Sequence, residues 1–407
     1  MGILSASRRH CSFLCHLRRR LSTTATPSST RTGISASVAK SRLRREFDPD
    51  RAVSILSSVA ADSTNLTSSR YALDLTVRRL ARARRFSDIE ALVESRKSSA
   101  PLAEPYLATL ILCYGGAGML DHALRTFDEV PSLTSAPHSP ISFNALLSAC
   151  IRAKKPRRVP SLFSELAEKH SITPDSTSYG ILVKSLCLAG KTGKGLETLK
   201  EMVEVKHLEP TTVIYTTLLD SLYKEGKPEE AEELWKEMVE KGCVPDLTAY
   251  NVRVMHRALT GKPAEVLQLI TEMEGAGIKP DKITYAFLIT CHCNAGQYDD
   301  AKEVYRGLRN KGCSPNATML RTFLTSLCEN GDIDMGMEVF KDSVKLNKVP
   351  DFRTMKLLVE GLVKEGKVQE AKAVVDRVKN LFPENHVGGW KKVEEKLGLS
   401  ADVEVSD

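Results

Sequence analysis

The stretch TVIYTTLLDSLYKEGKPEEAEELWKEMVEKGCVPD, residues 212–246, decides the fold of this chain. Apolar side chains recur at helical spacing in each half of it, at Ile214, Leu218, Leu219 and Leu222 and then at Ala231, Leu234, Trp235 and Met238. Gly226 suits the end of a first helix, and Pro228 suits the start of a second. One such pair of helices cannot bury its own apolar face, so the sequence predicts that copies of the pair stack on one another.

The same frame recurs along the chain with a period close to 35 residues. A Pro followed by a small polar residue ends six units, at Pro174-Asp175, Pro210-Thr211, Pro245-Asp246, Pro280-Asp281, Pro315-Asn316 and Pro350-Asp351. An aromatic residue opens the first helix at Phe143, Tyr179, Tyr215, Tyr250 and Tyr285. Gly marks the inter-helix turn at Gly118, Gly190, Gly226, Gly261, Gly296, Gly331 and Gly366. A fixed period of this size is typical of a repeat array, so we expect an all-α solenoid of stacked helix-turn-helix repeats.

This frame divides residues 46–407 into three segments. Eight repeats are predicted at 104–139, 140–175, 176–211, 212–246, 247–281, 282–316, 317–351 and 352–386. Residues 46–103 are expected to hold an N-terminal capping helix and a degenerate repeat, which begins near residue 70 and lacks the turn Gly. Residues 387–407 are expected to hold a C-terminal capping helix and an acidic tail.

Residues 1–45 have the composition of an organelle transit peptide followed by a disordered linker. They contain ten Lys or Arg residues, no Asp or Glu, and many Ser and Thr. Cleavage near Leu21 is one possibility, and a basic arm that stays on the protein and touches RNA is the alternative. Arg density that begins early favours the mitochondrion over the chloroplast.

Charge and cysteine usage limit the functions that remain. The whole chain carries 58 Lys and Arg against 51 Asp and Glu, but without residues 1–45 the balance is 48 against 51. Any nucleic-acid contact must then come from a local face. The Cys residues recur with the repeats, which places them on separate units, so the sequence predicts no metal site and no cofactor. No segment is long and apolar enough to cross a membrane.

The pattern resembles the pentatricopeptide repeat family, in its plain class of 35-residue repeats as found in plant organelles. The strongest matches are Tyr215 to Leu219 with Gly226-Lys227, Ala231 and Pro245-Asp246, and the run Ser142 to Leu147. The tetratricopeptide repeat, which binds peptides, has a period of 34 and a different Trp and Tyr pattern, and is the runner-up. The resemblance implies a right-handed superhelix that binds one nucleotide per repeat through two or three side chains.

In that family two side chains of each repeat, the readers, contact the edge of one base. The first reader is the residue after the aromatic residue, and the second is the last residue of the Pro-Asp pair. An apolar side chain, the wedge, packs against the base. Carried over to this chain, the readers are Asn144 with Asp175, Thr216 with Asp246, and Asn251 with Asp281, and the wedges are Ile141 and Val213. The family's code implies uracil for Asn with Asp and guanine for Thr with Asp. Arg152, Lys224 and Lys364 are positioned to reach phosphate.

The remaining five repeats depart from that code. Their reader pairs begin with Ala108, Gly180, Ala286, Arg321 and Lys356. An Asp after Pro is also an ordinary helix N-cap, which is the competing explanation for each second reader. We therefore expect an RNA-binding superhelix with three readable positions rather than a full code.

The predicted function is a non-catalytic, mitochondrial RNA-binding repeat protein that acts in RNA processing, stability or translation. The alternative is a structural component of the small subunit of the mitochondrial ribosome, with rRNA and ribosomal proteins as partners. A peptide-binding scaffold ranks third. No catalytic signature is recognisable, and no membrane partner or small-molecule substrate is expected.

Overall fold

The computed structural model describes residues 33–59, 66–97, 102–381 and 387–399. These residues form 22 α-helices and one short 3-10 helix, and no β-strand occurs among them. They divide into two compact units, with the boundary between Arg96 and Lys97. The prediction of an all-α repeat fold is confirmed.

The first unit contains four helices, α1 (Ala36–Arg45), α2 (Pro49–Ser57), α3 (Leu66–Arg82) and α4 (Phe86–Glu94). Helix α1 differs from the prediction, which placed residues up to 45 in a disordered linker. The Ser35 hydroxyl accepts the Val38 N–H and caps the helix, while Ala39 and Leu43 are fully buried. The Arg residues that dominate the composition lie on the exposed face. The transit peptide prediction otherwise lies outside the described residues.

Helices α3 and α4 form a hairpin where the sequence predicted a degenerate repeat. Arg84 takes a left-handed φ of 57° at the turn, where seven of the eight later repeats carry Gly. A left-handed conformation costs a residue with a Cβ roughly 1–2 kcal/mol. The sequence therefore lacks the turn signal although the turn itself is present.

The second unit is an array of paired helices followed by α22 (Val387–Leu397). The first helices of the pairs are α5 (Glu104–Ala117), α8 (Pro140–Arg152), α10 (Ser176–Leu188), α12 (Thr212–Lys224), α14 (Leu247–Ala258), α16 (Lys282–Asn294), α18 (Ala317–Glu329) and α20 (Phe352–Lys364). The second helices are α6 (Leu120–Asp128), α9 (Val159–Lys169), α11 (Thr192–Glu204), α13 (Pro228–Glu240), α15 (Pro263–Gly275), α17 (Tyr298–Gly307), α19 (Ile333–Lys345) and α21 (Val368–Leu381). A short helix, α7 (Val130–Thr134), follows α6, and the 3-10 helix Pro156–Arg158 leads into α9.

The turn between paired helices uses left-handed backbone. All seven Gly residues predicted at this position have φ between 68° and 82°, as at Gly226 with φ 73°. In the repeat without Gly, Lys154 takes the position with φ 59°. The turn then closes with a backbone hydrogen bond, such as the one from the Lys227 N–H to the Leu222 carbonyl.

The aromatic residues that open the first helices are buried between the helices. Phe143, Tyr179, Tyr215, Tyr250 and Tyr285 are each at most 5% exposed. The Tyr250 ring also packs edge-on against Trp235 of the preceding repeat, with the ring centroids 4.9 Å apart. Tyr179 packs in the same way on Phe163, so Tyr179 and Tyr250 each link their own helix pair to the preceding one.

The two helices of a pair occupy different layers of the array. Each first helix packs on the first helix of the next repeat throughout the series from α5 to α20. Second helices pack on their own first helix, and α6, α9, α11, α15 and α19 also contact the first helix that follows. The array therefore presents a first-helix face and a second-helix face.

Candidate nucleic-acid interface

The first reader pair is joined across two repeats by hydrogen bonds. Asn144 lies on α8, and Asp175 is the N-cap of α10. The Asn144 Nδ2 donates to Asp175 Oδ1 at 3.1 Å, and the Ser178 hydroxyl donates to Asn144 Oδ1 at 2.6 Å. The backbone N–H of Ser178 also donates to Asp175 Oδ1, at 2.8 Å. Hydrogen bonds thereby connect the N-cap residue of α10 to the first reader of the preceding repeat.

The pair Asn251 and Asp281 repeats this arrangement. The Asn251 Nδ2 donates to Asp281 Oδ1 at 3.3 Å, and the Thr284 hydroxyl donates to Asn251 Oδ1 at 2.7 Å. Thr284 also closes a capping box with Asp281 at the start of α16. The structure brings both predicted Asn–Asp pairs together.

These contacts fix the orientation of each Asn amide. Burial alone would raise the pKa of Asp175, but hydrogen bonds from the Ser178 backbone N–H and the Asn144 side chain lower it overall. The pKa of Asp281 is lowered in the same way by N–H groups of Thr284 and Ile283. An ionised carboxylate only accepts hydrogen bonds, so the NH₂ group must face it. Each Asn nitrogen donates one N–H to the carboxylate; the Asn144 side chain is half-buried, and Asn251 is 9% exposed.

The third pair, Thr216 and Asp246, is not joined in this way. The Thr216 hydroxyl donates to the Thr212 carbonyl of its own helix at 2.7 Å. Asp246 caps α14 by accepting the Ala249 N–H at 2.8 Å, and Ala249 stands where the other two repeats carry a hydroxyl. Both residues nevertheless line one cleft of about 560 Å³, together with Val213 and Lys224.

The side chains of the predicted wedges are exposed on the first-helix face. Ile141 is 47% exposed and Val213 is 67% exposed. Val213 lines the 560 Å³ cleft and a second cleft of about 500 Å³, which also contains Arg152. Ile283 holds the same register in its repeat and is 41% exposed, and sequence reasoning missed it. The clefts share Lys184 and form one groove over α8, α10, α12 and α14.

Two of the three cations predicted to reach phosphate, Arg152 and Lys224, line this groove, and Lys364 lies on α20. An Nη1 of Arg152 donates to the Leu112 carbonyl of the preceding first helix at 3.4 Å. Lys224 forms an ion pair with Asp220, one helical turn earlier, and its side chain is 62% exposed. Both heads lie at the rim of the clefts, where charged side chains remain hydrated.

The residue that corresponds to a second reader in the first repeat lies elsewhere. The His138 ring stacks on Phe127, with centroids 4.1 Å apart and an interplanar angle of 15°. Burial, followed by the charge of His170, lowers the pKa of His138. A neutral imidazole packed on an aromatic ring is part of the core rather than of the groove.

Charge is distributed unequally between the two faces. The eight first helices carry ten Lys or Arg residues and four Asp or Glu residues. The eight second helices carry 12 Lys or Arg residues and 24 Asp or Glu residues. The near-neutral total therefore conceals an excess of cations on the first helices and of acids on the second helices, although the buried Arg253 of α14 is paired with Glu232 and Glu272 of second helices.

The cysteines behave as core residues. Cys291 and Cys293 are buried free thiols, and burial raises the pKa of Cys293 to about 11. Nδ1 of the intervening His292 lies 3.0 Å from Gln297 Oε1. Across the described residues, no group of three or more His, Cys, Asp or Glu side chains is placed to hold a metal ion. The helices described are also all too short or too polar to span a membrane.

Family models match most of the helix pairs in the array. The PPR repeat model matches residues 108–133, 141–170, 177–207, 319–347 and 353–381, the PPR repeat family model matches 210–254, and the pentatricopeptide repeat domain model matches 268–330. These matches cover more than half of the chain. The chain belongs to the pentatricopeptide repeat family.

Two relatives match this pentatricopeptide repeat protein over nearly its whole length. The small ribosomal subunit protein mL103 (rPPR7) of Arabidopsis thaliana is 48% identical, over 93% of this chain and 91% of the relative. A mitochondrial pentatricopeptide repeat-containing protein of the same plant is 47% identical, over 95% of this chain and 92% of the relative. The predicted mitochondrial localisation is confirmed, and this pentatricopeptide repeat protein is mitochondrial.

Shorter matches and solved structures extend the comparison. The Arabidopsis thaliana small ribosomal subunit protein mS78 (rPPR3a) is 37% identical over 42% of this pentatricopeptide repeat protein and 44% of the relative. The crystal structure of the maize pentatricopeptide repeat protein PPR10 matches with a TM-score of 0.47 and 18% identity. That match covers 88% of this chain and 59% of the maize chain.

Proposed function

We propose that this mitochondrial pentatricopeptide repeat protein binds single-stranded RNA along its first-helix face and acts by occupancy rather than by catalysis. The readers Asn144 with Asp175 and Asn251 with Asp281 would each take uracil, and Thr216 with Asp246 would take guanine. Ile141, Val213 and Ile283 would pack against the bases.

The observation that carries the proposal is the unequal charge of the two faces. A polyanion binds where cations outnumber acids, and only the first-helix face has that balance. The same face holds the groove and the exposed apolar side chains. Electrostatic attraction and base contacts would therefore coincide on one surface.

Action by occupancy agrees with the chemistry of the groove. Its polar side chains are hydroxyls, Lys and Arg heads and two carboxylates, of which Asp246 already caps a helix and Asp220 pairs with Lys224. Cys187 lines the groove, but burial raises the pKa of its thiol and keeps it protonated. We therefore assign the groove no reaction.

A double substitution tests the proposal. Asn144→Ala with Asp175→Ala should weaken binding to synthetic RNA with U, G and U at the spacing of the three readable repeats, and should reduce the preference for uracil at the first. Both strand polarities should be tried, in an oligo(A) background. Asn330→Ala with Asp332→Ala is the matched control, because it removes an Asn and the N-cap Asp of a second helix. Equal binding by both variants would refute base reading.

A second candidate function is a structural role in the small subunit of the mitochondrial ribosome. The full-length similarity to mL103 favours it, and so do the five repeats without a readable pair. In that setting rRNA and ribosomal proteins would be the partners. Sedimentation of the tagged protein from mitochondrial lysate tests the role: co-migration with the small subunit after nuclease trimming of free RNA supports it. A pool that stays at the top of the gradient contradicts it.

A further inference from the structure

The last two repeats carry basic residues where the other repeats carry readers and wedges. Arg321 and Lys356 stand at the first-reader position, and Arg353 stands at the wedge position. Lys364 lies eight residues after Lys356, in the register that Arg152 and Lys224 hold in their repeats. We define the C-terminal basic patch as Arg321, Arg353, Lys356 and Lys364.

The patch lies on the first-helix face of two helices that pack together. Helices α18 and α20 are in contact, and the hydroxyls of Thr325 and Thr354 lie 3.3 Å apart between them. Arg321 is 51% exposed and Lys356 is 38% exposed, while Arg353 and Lys364 are exposed. The charged groups are therefore within reach of one strand of RNA.

Two acids on this surface form long ion pairs with the patch and leave it with a positive balance, since they face four cations. Arg321 Nη1 lies 3.9 Å from Asp351 Oδ2, and Lys356 Nζ lies 3.6 Å from Glu360 Oε1. Both separations exceed hydrogen-bond distance, so the N–H donors stay open to another acceptor. Lys396 of α22 also lies 4.0 Å from Glu360 Oε1, which adds a fifth cation beside the patch.

The shape of these side chains suits phosphate rather than a base edge. In the Asn–Asp pairs a short amide is held in one orientation by two hydrogen bonds. Arg and Lys heads on long flexible stems offer many donors and no acceptor, and they match phosphate oxygens on any nucleotide. A base-reading site would need the first arrangement, whereas the last two repeats have the second.

We propose that the C-terminal basic patch binds the phosphate backbone of RNA without regard to sequence, and so anchors a strand that the earlier repeats read. This inference rests on the proposed RNA binding. It gives the repeats without a readable pair a positive role at one end of the array.

The test is the salt dependence of RNA binding by the full chain. The patch variant is R321Q/R353Q/K356Q/K364Q. The matched control is K341Q/K345Q/K372Q/R377Q, which removes four cations from the second helices α19 and α21 of the same repeats. The probes are a 14-nucleotide oligo(A) and the same oligo(A) with U, G and U at the readable spacing. Dissociation constants are measured between 50 and 300 mM KCl, with thermal melting to verify folding.

We expect the patch variant to lose affinity for both RNAs by the same factor. Its slope of log affinity against log salt should fall by up to about 2.8, since each lost phosphate contact on a single strand contributes about 0.7. The control should keep the slope of the unsubstituted protein. An unchanged slope in the patch variant, or a loss confined to one RNA, would overturn the inference. Failure of the unsubstituted protein to bind either RNA would instead overturn the proposed function, and this inference with it.

Discussion

At the residue scale, the hydroxyls of Ser178 and Thr284 determine what the neighbouring Asn can offer. Each donates to the Asn oxygen of the preceding repeat, and the Asn nitrogen in turn donates to the neighbouring Asp carboxylate. Ala249 cannot do this, and Thr216 turns to its own helix. The pairing of Asn with Asp was implied by the family resemblance. The hydroxyl link was not, because it joins residues more than 30 positions apart that only stacking brings together.

Thr284→Val tests this link through stability. The substitution keeps the shape but removes the buried donor to Asn251 Oδ1, at a cost of roughly 1–3 kcal/mol, and also the acceptor for the Asp281 N–H in the capping box. We expect the thermal midpoint to fall by about 1–5 °C. The control is Thr271→Val, because that exposed hydroxyl bonds only to the Leu267 carbonyl of its own helix. A midpoint equal to that of the control would mean that the link contributes nothing.

His138 gives the protein a pH-dependent stability. Its pKa is lowered first by burial and then by His170, against the opposing charges of Asp128 and Glu104 and with a further lowering by Lys169. Between this lowered pKa and about 6.5, its value in the unfolded chain, the unfolded state binds more protons. Stability therefore rises with pH across that window and falls on acidification.

The expected result is that His138→Phe loses less of its thermal midpoint between pH 7.5 and pH 5.5 than the unsubstituted protein does. Phe keeps the stacking on Phe127 and cannot be protonated. His207→Gln is the control, because His207 is exposed. An equal loss in both variants would place the pH dependence elsewhere.

At the scale of the helices, Gly and Pro residues at the helix boundaries made the array predictable from the sequence. The seven turn Gly residues and the N-terminal Pro residues of α13 and α15 mark boundaries that the structure reproduces. Where a boundary has no Gly or Pro, the sequence predicts the helix poorly or misses it. Arg84 and Lys154 form the same turn without Gly. Helix α1 was missed because its Arg content outweighed the three buried positions, Ala36, Ala39 and Leu43.

Gly226→Ala measures what a turn Gly contributes. With φ at 73° and nothing within 4 Å of the added Cβ, the cost is backbone strain of about 1–2 kcal/mol and not a clash. We expect a lower thermal midpoint. Gly193→Ala is the matched control, since Gly193 has the same open surroundings within helix α11, where Ala is favoured by up to about 1 kcal/mol. A fall of equal size in both variants would argue against conformational strain.

At the scale of the whole molecule, the number of readable positions limits what the array can select. Three defined bases recur about once in 64 nucleotides of random RNA, and each mismatch costs on the order of 1–3 kcal/mol. Every mitochondrial transcript would then offer many adequate sites. Base reading by three repeats cannot select one transcript. A protein held at a fixed position beside one RNA, as in a ribosomal subunit, does not need to select it by sequence.

This limit predicts a difference between free and cellular binding. Purified protein crosslinked to deproteinised mitochondrial RNA should label many transcripts, at sites enriched in the readable bases. Crosslinking inside mitochondria should concentrate on rRNA of the small subunit if the ribosomal role holds, because assembly then supplies the selection that the repeats lack. Sequencing of the crosslinked RNA measures both distributions. A single dominant messenger RNA in the deproteinised sample would contradict the argument, since it would require more readable repeats than the array contains.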